Sequence, residues 1–167
     1  GKSTAAVNLA LSLAQAGQRV TLVDCDLRHP TDRQILGVQE DGDGLREILE
    51  RKARMKNCLM GAKELGLEST MRIRFLPGGK TIGDGSDLLG TELMGRIIKR
   101  LEEVSDYVIL DSAPAGLLTD AVVLAQYADG AVFVARKDFA RVDYIMDGME
   151  HLAESNIQII GGILNGV

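Results

Sequence analysis

At 167 residues, 46% hydrophobic and 26% charged, the chain holds enough apolar material for one globular core and not for a second full domain. A net charge of -5 argues against a sequence-independent nucleic-acid binder, because counterion release from phosphates requires clustered Lys and Arg. The two cysteines, Cys25 and Cys58, lack the number and spacing of a disulfide framework or zinc site and point to a reducing compartment, hence the cytoplasm, while no apolar run approaches the ~20 residues that span a bilayer.

The chain opens directly on Gly1-Lys2-Ser3-Thr4. From Ser3 to Ala16 the positions Val7, Leu9, Ala10, Leu11, Leu13 and Ala14 form a broad apolar face, which predicts a buried helix closed by Gly17. A strand follows at Val20 to Asp24, then an irregular or weakly helical stretch from Leu27 to Val38 with Pro30 as a breaker. Asp43-Gly44-Leu45 opens a short amphipathic helix carrying Ile48 and Leu49. The polar, basic stretch Arg51 to Lys63 carries no clear periodicity. The cations Arg46, Arg51, Lys52, Arg54 and Lys56, interleaved with Glu47 and Glu50, read as a solvated helix face.

Met71 to Leu76 reads as a strand, followed by a glycine-rich and mobile loop from Pro77 to Ser86. Between Asp87 and Val104 the apolar residues Leu88, Leu89, Leu93, Ile97, Ile98 and Leu101 fall three and four apart, predicting one helix capped by Ser86 or Asp87. A strand at Tyr107 to Asp111, a helix near Asp120 to Gln126, a strand at Gly130 to Arg136, a helix near Val142 to Glu154 and a strand at Ile157 to Leu164 complete the pattern. Strands alternating with helices imply an α/β fold: a mostly parallel sheet with helices on both faces, whose ligands sit at the carboxyl ends of the strands. One domain spans residues 1–167, and it reads as truncated at both ends, with a first strand and the start of a phosphate-binding loop missing.

Two apolar runs end on aspartates, Val20 to Val23 before Asp24-Cys25-Asp26-Leu27-Arg28, and Val108 to Leu110 before Asp111-Ser112-Ala113-Pro114. Either motif alone most often marks a turn or a cap. Together with Gly1-Lys2-Ser3-Thr4, the right-hand half of a P-loop, they place a lysine, two hydroxyls and three carboxylates where a parallel sheet gathers its site residues. Such a set suits nucleoside triphosphate and magnesium: the lysine reaches the outer phosphates, a hydroxyl binds the metal, and the carboxylates hold the hard cation or accept a proton. Asp24 and Asp26, two apart on an extended segment, are expected to point the same way. Cys25, between two carboxylates, reads as a small buried side chain rather than a nucleophile.

These residues resemble the bacterial tyrosine kinase (BY-kinase) family of capsular and exopolysaccharide export, within the MinD/ParA-like P-loop ATPases. Gly1-Lys2-Ser3-Thr4 with Asn8-Leu9-Ala10 is similar to the end of its Walker A motif and first helix. Leu22-Val23-Asp24-Cys25-Asp26-Leu27-Arg28-His29-Pro30 resembles its Walker A′ motif, and Val108-Ile109-Leu110-Asp111-Ser112-Ala113-Pro114 its Walker B. Gly44-Leu45, Leu76-Pro77-Gly78-Gly79, Thr119-Asp120-Ala121, Ala128-Asp129-Gly130 and Gly162-Ile163-Leu164-Asn165 extend the likeness over almost the whole chain.

The resemblance implies a three-layer P-loop NTPase fold and transfer of the γ-phosphoryl of ATP, with magnesium, to tyrosine hydroxyls on the tyrosine-rich tail of a neighbouring subunit. It implies homo-oligomers of neighbouring kinase domains and a membrane adaptor of the polysaccharide chain-length-determinant type, which would hold the protein at the inner face of the cell membrane. Carried over by position, Gly1, Lys2, Ser3 and Thr4 bind phosphate, Ser3, Asp26 and Asp111 hold the metal and its waters, and Asp24 orients or deprotonates the tyrosine. Arg28 steadies the loop or the transferred charge, and Asn165 contacts adenine. The alternative is a MinD/ParA-type ATPase, a nucleotide-dependent dimerisation switch with water as acceptor. Thr21 departs from the family's apolar residue and is expected to bond backbone, and Tyr107, Tyr127 and Tyr144 are expected to pack or cap rather than accept phosphate.

Overall fold

The computed structural model describes residues 1–167 apart from 39–41, 82, 114–117, 138–145, 147, 153–156 and 167. The first helix, α1 (Lys2–Gln15), buries Val7, Ala10 and Ala14, a face of small side chains that lets it lie close against the sheet. Gly17, at φ +85°, adopts the left-handed conformation that ends it, as the sequence predicts.

Strand β1 (Val20–Asp24) is buried at all five positions. It lies between two parallel partners, β3 (Ile73–Leu76) and β4 (Tyr107–Asp111), so both its edges and both its faces are covered. Alternation along β1 divides the core into two layers. Val20 and Leu22 pack with Val7, Ala10, Ile73 and Phe75 on the α1 side, and Val23 packs with Leu76, Met94, Ile98 and Leu101 on the other. Thr21 is accommodated by a hydroxyl pair with buried Ser105, 2.8 Å, rather than by the backbone partner expected for it.

A short strand β2 (Met60–Gly61) adds antiparallel to β3, giving the order β2-β3-β1-β4. It lies in the stretch without legible periodicity, and two residues are too few to show any. Three short helices, α2 (Asp32–Ile35), α3 (Leu45–Leu49) and α4 (Met55–Cys58), fill the connection between β1 and β2.

The helix predicted from Asp87 to Val104 is two helices, α5 (Ser86–Leu89) and α6 (Glu92–Glu102). Gly90 ends the first, and Thr91 caps the second by accepting the Met94 N–H at 3.4 Å. Tyr127 donates its hydroxyl to the Leu89 carbonyl at 3.2 Å, a capping role, whereas Tyr107 is half exposed at the start of β4 and Tyr144 lies outside the described residues.

Helix α7 (Leu118–Ala125) leads to β5 (Gly130–Arg136), which pairs in parallel with β6 (Gln158–Asn165). Of the helix predicted between these strands, residues 148–152 are helical and the rest lies largely outside the described residues. Among the described residues β5 and β6 form a ladder of their own. An apolar slot of about 340 Å³, walled by Leu9, Val108, Leu110, Leu124, Val132 and Ile163, separates it from β4. No helix among the described residues is long and apolar enough to cross a membrane.

Candidate active site

The parallel register of β1 and β4 pairs Asp24 with Asp111, so two aspartates 87 positions apart come side by side at the carboxyl ends of adjacent strands. The Cys25 N–H donates to the Asp111 carbonyl at 2.8 Å, extending the ladder one step. Beyond that bond the chain turns. Asp24 Oδ1 accepts the Asp26 N–H and Oδ2 accepts the Asp32 N–H, each at 3.2 Å, so one carboxylate organises the turn and holds the start of α2 back over the strand end.

This turn changes which side chains meet. Instead of lying beside Asp24 on an extended segment, Asp26 uses Oδ1 to accept the His29 N–H at 3.0 Å. Asp32 takes the neighbouring place: ligand oxygens of Asp24, Asp32 and Asp111 all lie within 4.8 Å of one another. Asp32 was not among the sequence-derived candidates. Its sequence signal is weak, since an aspartate in the first turn after Pro30-Thr31 reads as a favourable helix start.

Burial dominates the electrostatics. The Asp24 carboxyl is pushed up to about 7, first by burial and then by the charges of Asp111 and Asp26, against the two backbone N–H groups that favour its ionised form. Asp32 is pushed up to about 9 by burial and by Asp24 and Asp111, with Lys2 opposing. Asp111 is raised by burial, and the Ser3 hydroxyl and Lys2 ammonium act against that shift. Cys25, wholly buried and flanked by these carboxyls, is held as the thiol, consistent with its reading as a small buried side chain.

Lys2 and Ser3 therefore stand at the cluster, at the start of α1. Gly1 caps that helix without a side-chain bond, and a Cβ there would fall 2.3 Å from Asn165 Nδ2, so the end of β6 stands against the phosphate-loop residues. Thr4 is exposed one position further on. The first N–H groups of α1 lie at this same end, where the helix presents its positive pole.

Arg28 is held away from the cluster by acidic partners. Its guanidinium pairs with Asp120 at 2.6 Å and Asp84 at 3.0 Å and donates to Ser86 Oγ at 2.6 Å, tying the turn after β1 to the glycine-rich loop and to α7. These are the contacts of a residue that steadies a loop.

The same loop is fastened from below by α3. Leu45 and Arg46 donate their N–H groups to Pro77 and Gly78 carbonyls at 2.7 and 3.0 Å. Glu47 accepts the Gly44 N–H at 2.8 Å and the Lys80 N–H at 3.2 Å. Arg46 and Glu47, expected on a solvated face, are buried, because Arg46 donates to the Leu27 and Gly83 carbonyls at 3.0 and 2.8 Å. A Cβ on Gly44 would fall 2.3 Å from the Pro77 carbonyl oxygen, so only glycine permits this approach.

A family model described as AAA domain matches residues 1–161. Tyrosine-protein kinase CpsD of Streptococcus agalactiae is 30% identical over 167 residues, 100% of this chain and 70% of that protein. The BY-kinase family is thereby shown. The chain belongs to it. The solved kinase domain of Escherichia coli tyrosine kinase ETK superposes with a TM-score of 0.85 at 26% identity, over 97% of this chain and 61% of that one. MinD of Pyrococcus horikoshii, solved with Mg-ADP, shares the fold with a TM-score of 0.76 at 24% identity, over 98% of this chain and 64% of that one.

Gly1-Lys2-Ser3-Thr4, the turn after β1 and the end of β4, which match the family's Walker A, A′ and B motifs in sequence, come together at one end of the sheet. Their residues fit a nucleotide with a hard dication. Among the described residues both Asp32 oxygens and Asp111 Oδ2 are buried with no bond from an amide, hydroxyl or cationic donor, and the Lys2 ammonium acts on both carboxyls. All the available donors are oxygens, which suits magnesium.

Proposed function

We propose that this BY-kinase chain is an ATP- and magnesium-dependent protein-tyrosine kinase serving capsular or exopolysaccharide synthesis and export. The observation that carries the reading is the Asp24–Asp111 register, which sets a buried carboxyl beside the Walker B aspartate with Lys2 and Ser3 opposite. Lys2 and the N–H groups opening α1 bind the phosphates, with Gly1 and Thr4 alongside and Asn165 at the base. Ser3 and Asp111 would hold the metal and its waters, while Asp26, turned toward the His29 N–H, acts on them through its charge. When bound, magnesium neutralises charge on the transferred phosphoryl group.

Asp24 then orients the acceptor hydroxyl and takes its proton. A carboxyl pushed up to about 7 is matched to that task near neutral pH, since proton transfer is most effective when the base titrates close to the working pH. Asp24 also borders a cavity of about 790 Å³ formed with Pro30, Arg33, Pro77, Gly78 and Lys80, its own carboxyl buried beneath that wall. Arg28, through Asp120 and Asp84, keeps the turn and the loop in place around that cavity.

The acceptor in this reading is a tyrosine-rich tail of a neighbouring subunit, and the partner is a membrane adaptor of the chain-length-determinant type that holds the kinase at the inner face of the cell membrane. The test is incubation of the full-length protein with ATP and magnesium, probed for phosphotyrosine. Signal is expected in the wild type and lost in Lys2→Met and Asp24→Ala, with unchanged circular dichroism. Phosphate release without phosphotyrosine would instead identify a MinD/ParA-type ATPase.

A further inference from the structure

We propose that Asp32 joins Asp24 and Asp111 in a divalent-cation site that fills without nucleotide. Three ligand oxygens within 4.8 Å of one another can share one ion, given the oxygen–metal distances of about 2.0 to 2.6 Å typical of magnesium and calcium. Asp32 is wholly buried, and among the described residues no amide, hydroxyl or cationic donor is bonded to either of its oxygens or to Asp111 Oδ2; what they meet is each other's carboxyl. Helix capping does not explain the burial of Asp32, because the N-cap of α2 is Thr31 and the side chain that accepts the first N–H of that helix belongs to Asp24. A buried carboxyl left without a partner is destabilising, and the direction in which its oxygens point is toward two other carboxyls. A dication resolves all three at once.

Magnesium generally rests on one or two carboxylates and completes its shell with substrate phosphates and water. A third carboxylate, on a helix start bonded to the first through the Asp32 N–H, supplies from the protein part of what a phosphate would otherwise supply. The all-oxygen set selects magnesium, manganese or calcium over thiolate- and imidazole-seeking metals. This inference rests on the reading of the site as a kinase centre and adds to it a metal-loaded state that precedes ATP, in which Asp24 is a ligand and not yet the base.

The experiment is titration of the full-length, nucleotide-free protein with manganese(II), followed by the electron paramagnetic resonance of the free ion and by thermal unfolding. One ion per chain is expected, with a Kd in the range of about 10⁻⁴ to 10⁻³ M known for modest oxygen-ligand sites. Asp32→Asn should weaken it about ten- to hundredfold, a range set by what loss of an outer partner already does to metal sites. In EDTA the Asp32→Asn protein should melt higher than the wild type, and manganese should raise the melting temperature of the wild type while leaving the variant's nearly unchanged. Absence of binding by the wild type, or equal binding by Asp32→Asn, overturns the proposal. Phosphotyrosine formation is read separately, so a kinase without this nucleotide-free site and a cation site without kinase activity give different results.

Discussion

The contact between Arg28 and Asp120 makes an asymmetric prediction. Asp120 is only 4% exposed in its side chain and Arg28 18%, and they meet at 2.6 Å. Burial raises the Asp120 carboxyl above its ordinary range, and Arg28 is the influence that opposes it. Replacing Arg28 by Gln strands a buried carboxyl, for which breaking a buried pair typically costs about 3 to 5 kcal/mol. With Arg28 partly exposed, about 2 to 4 kcal/mol is reasonable, or a fall in Tm of about 4 to 16 °C at 2 to 4 °C per kcal/mol for a chain of this size. Asp120→Asn should cost about 1 kcal/mol, because the amide oxygen still accepts and the guanidinium keeps Asp84 and Ser86.

The sign with pH follows from the carboxyl left behind. Without Arg28 its folded-state titration rises further, so the folded state holds a proton that the unfolded chain releases above about pH 4. The cost of Arg28→Gln should therefore be small near pH 4 and grow as pH rises towards neutrality. Urea denaturation of the wild type, both single variants and the double variant, at pH 4.5 and 7.5, measures this directly. Equal costs for the two single variants, or a cost of Arg28→Gln that does not grow with pH, would refute the reasoning.

Two further outcomes come from the same core. In EDTA the nucleotide-free protein should lose stability as pH rises from about 4 towards 7, since Asp24, pushed up to about 7, and Asp32, pushed up to about 9, keep protons that the unfolded chain gives up; the limiting slope is about 1.4 kcal/mol per pH unit for each group, and a urea midpoint higher at pH 7.5 than at pH 5 would contradict it. Thr21→Val should cost about 1 to 2 kcal/mol by stranding the Ser105 hydroxyl, whereas Thr21→Val with Ser105→Ala should be nearly neutral, a non-additivity that calorimetry of the three variants resolves.

How much of this was legible in the sequence depended on periodicity. Strands β1, β4 and β5 and helix α1 follow from apolar runs and their spacing, because one buried strand or one long helix face writes its period into five or more residues. The split between α5 and α6 was not legible, since the apolar spacing continues across Gly90 and Thr91, where Gly90 ends one helix and Thr91 caps the next by accepting the Met94 N–H. Asp24 and Asp111 stood out as strand ends. Their pairing was decided by register, which no local pattern carries. Asp32 and the buried Arg46 and Glu47 escaped for one reason. Their environments are made by groups distant in sequence, the Asp111 carboxyl for Asp32 and the Gly83 carbonyl and Lys80 N–H for Arg46 and Glu47, so a charged residue in a short helix looked like surface.

The three carboxyls themselves say that this end of the sheet is not built for stability. Replacing a buried charged group by a well-packed apolar one of similar size is often neutral or stabilising, and here three such groups face one ammonium in a setting where burial opposes ionisation of each. Nothing in the packing of β1 against β4 requires them, since the apolar layers built on Val20, Leu22 and Val23 are complete one step earlier in the strands. A fold that keeps such a cluster opposite Lys2 and the start of α1 gives up stability when empty and regains it on binding a cation and phosphate, because whatever binds only the folded form shifts the folding equilibrium. The empty protein should therefore be the least stable form of the chain, and the carboxyls that destabilise it should be the ones whose substitution weakens binding.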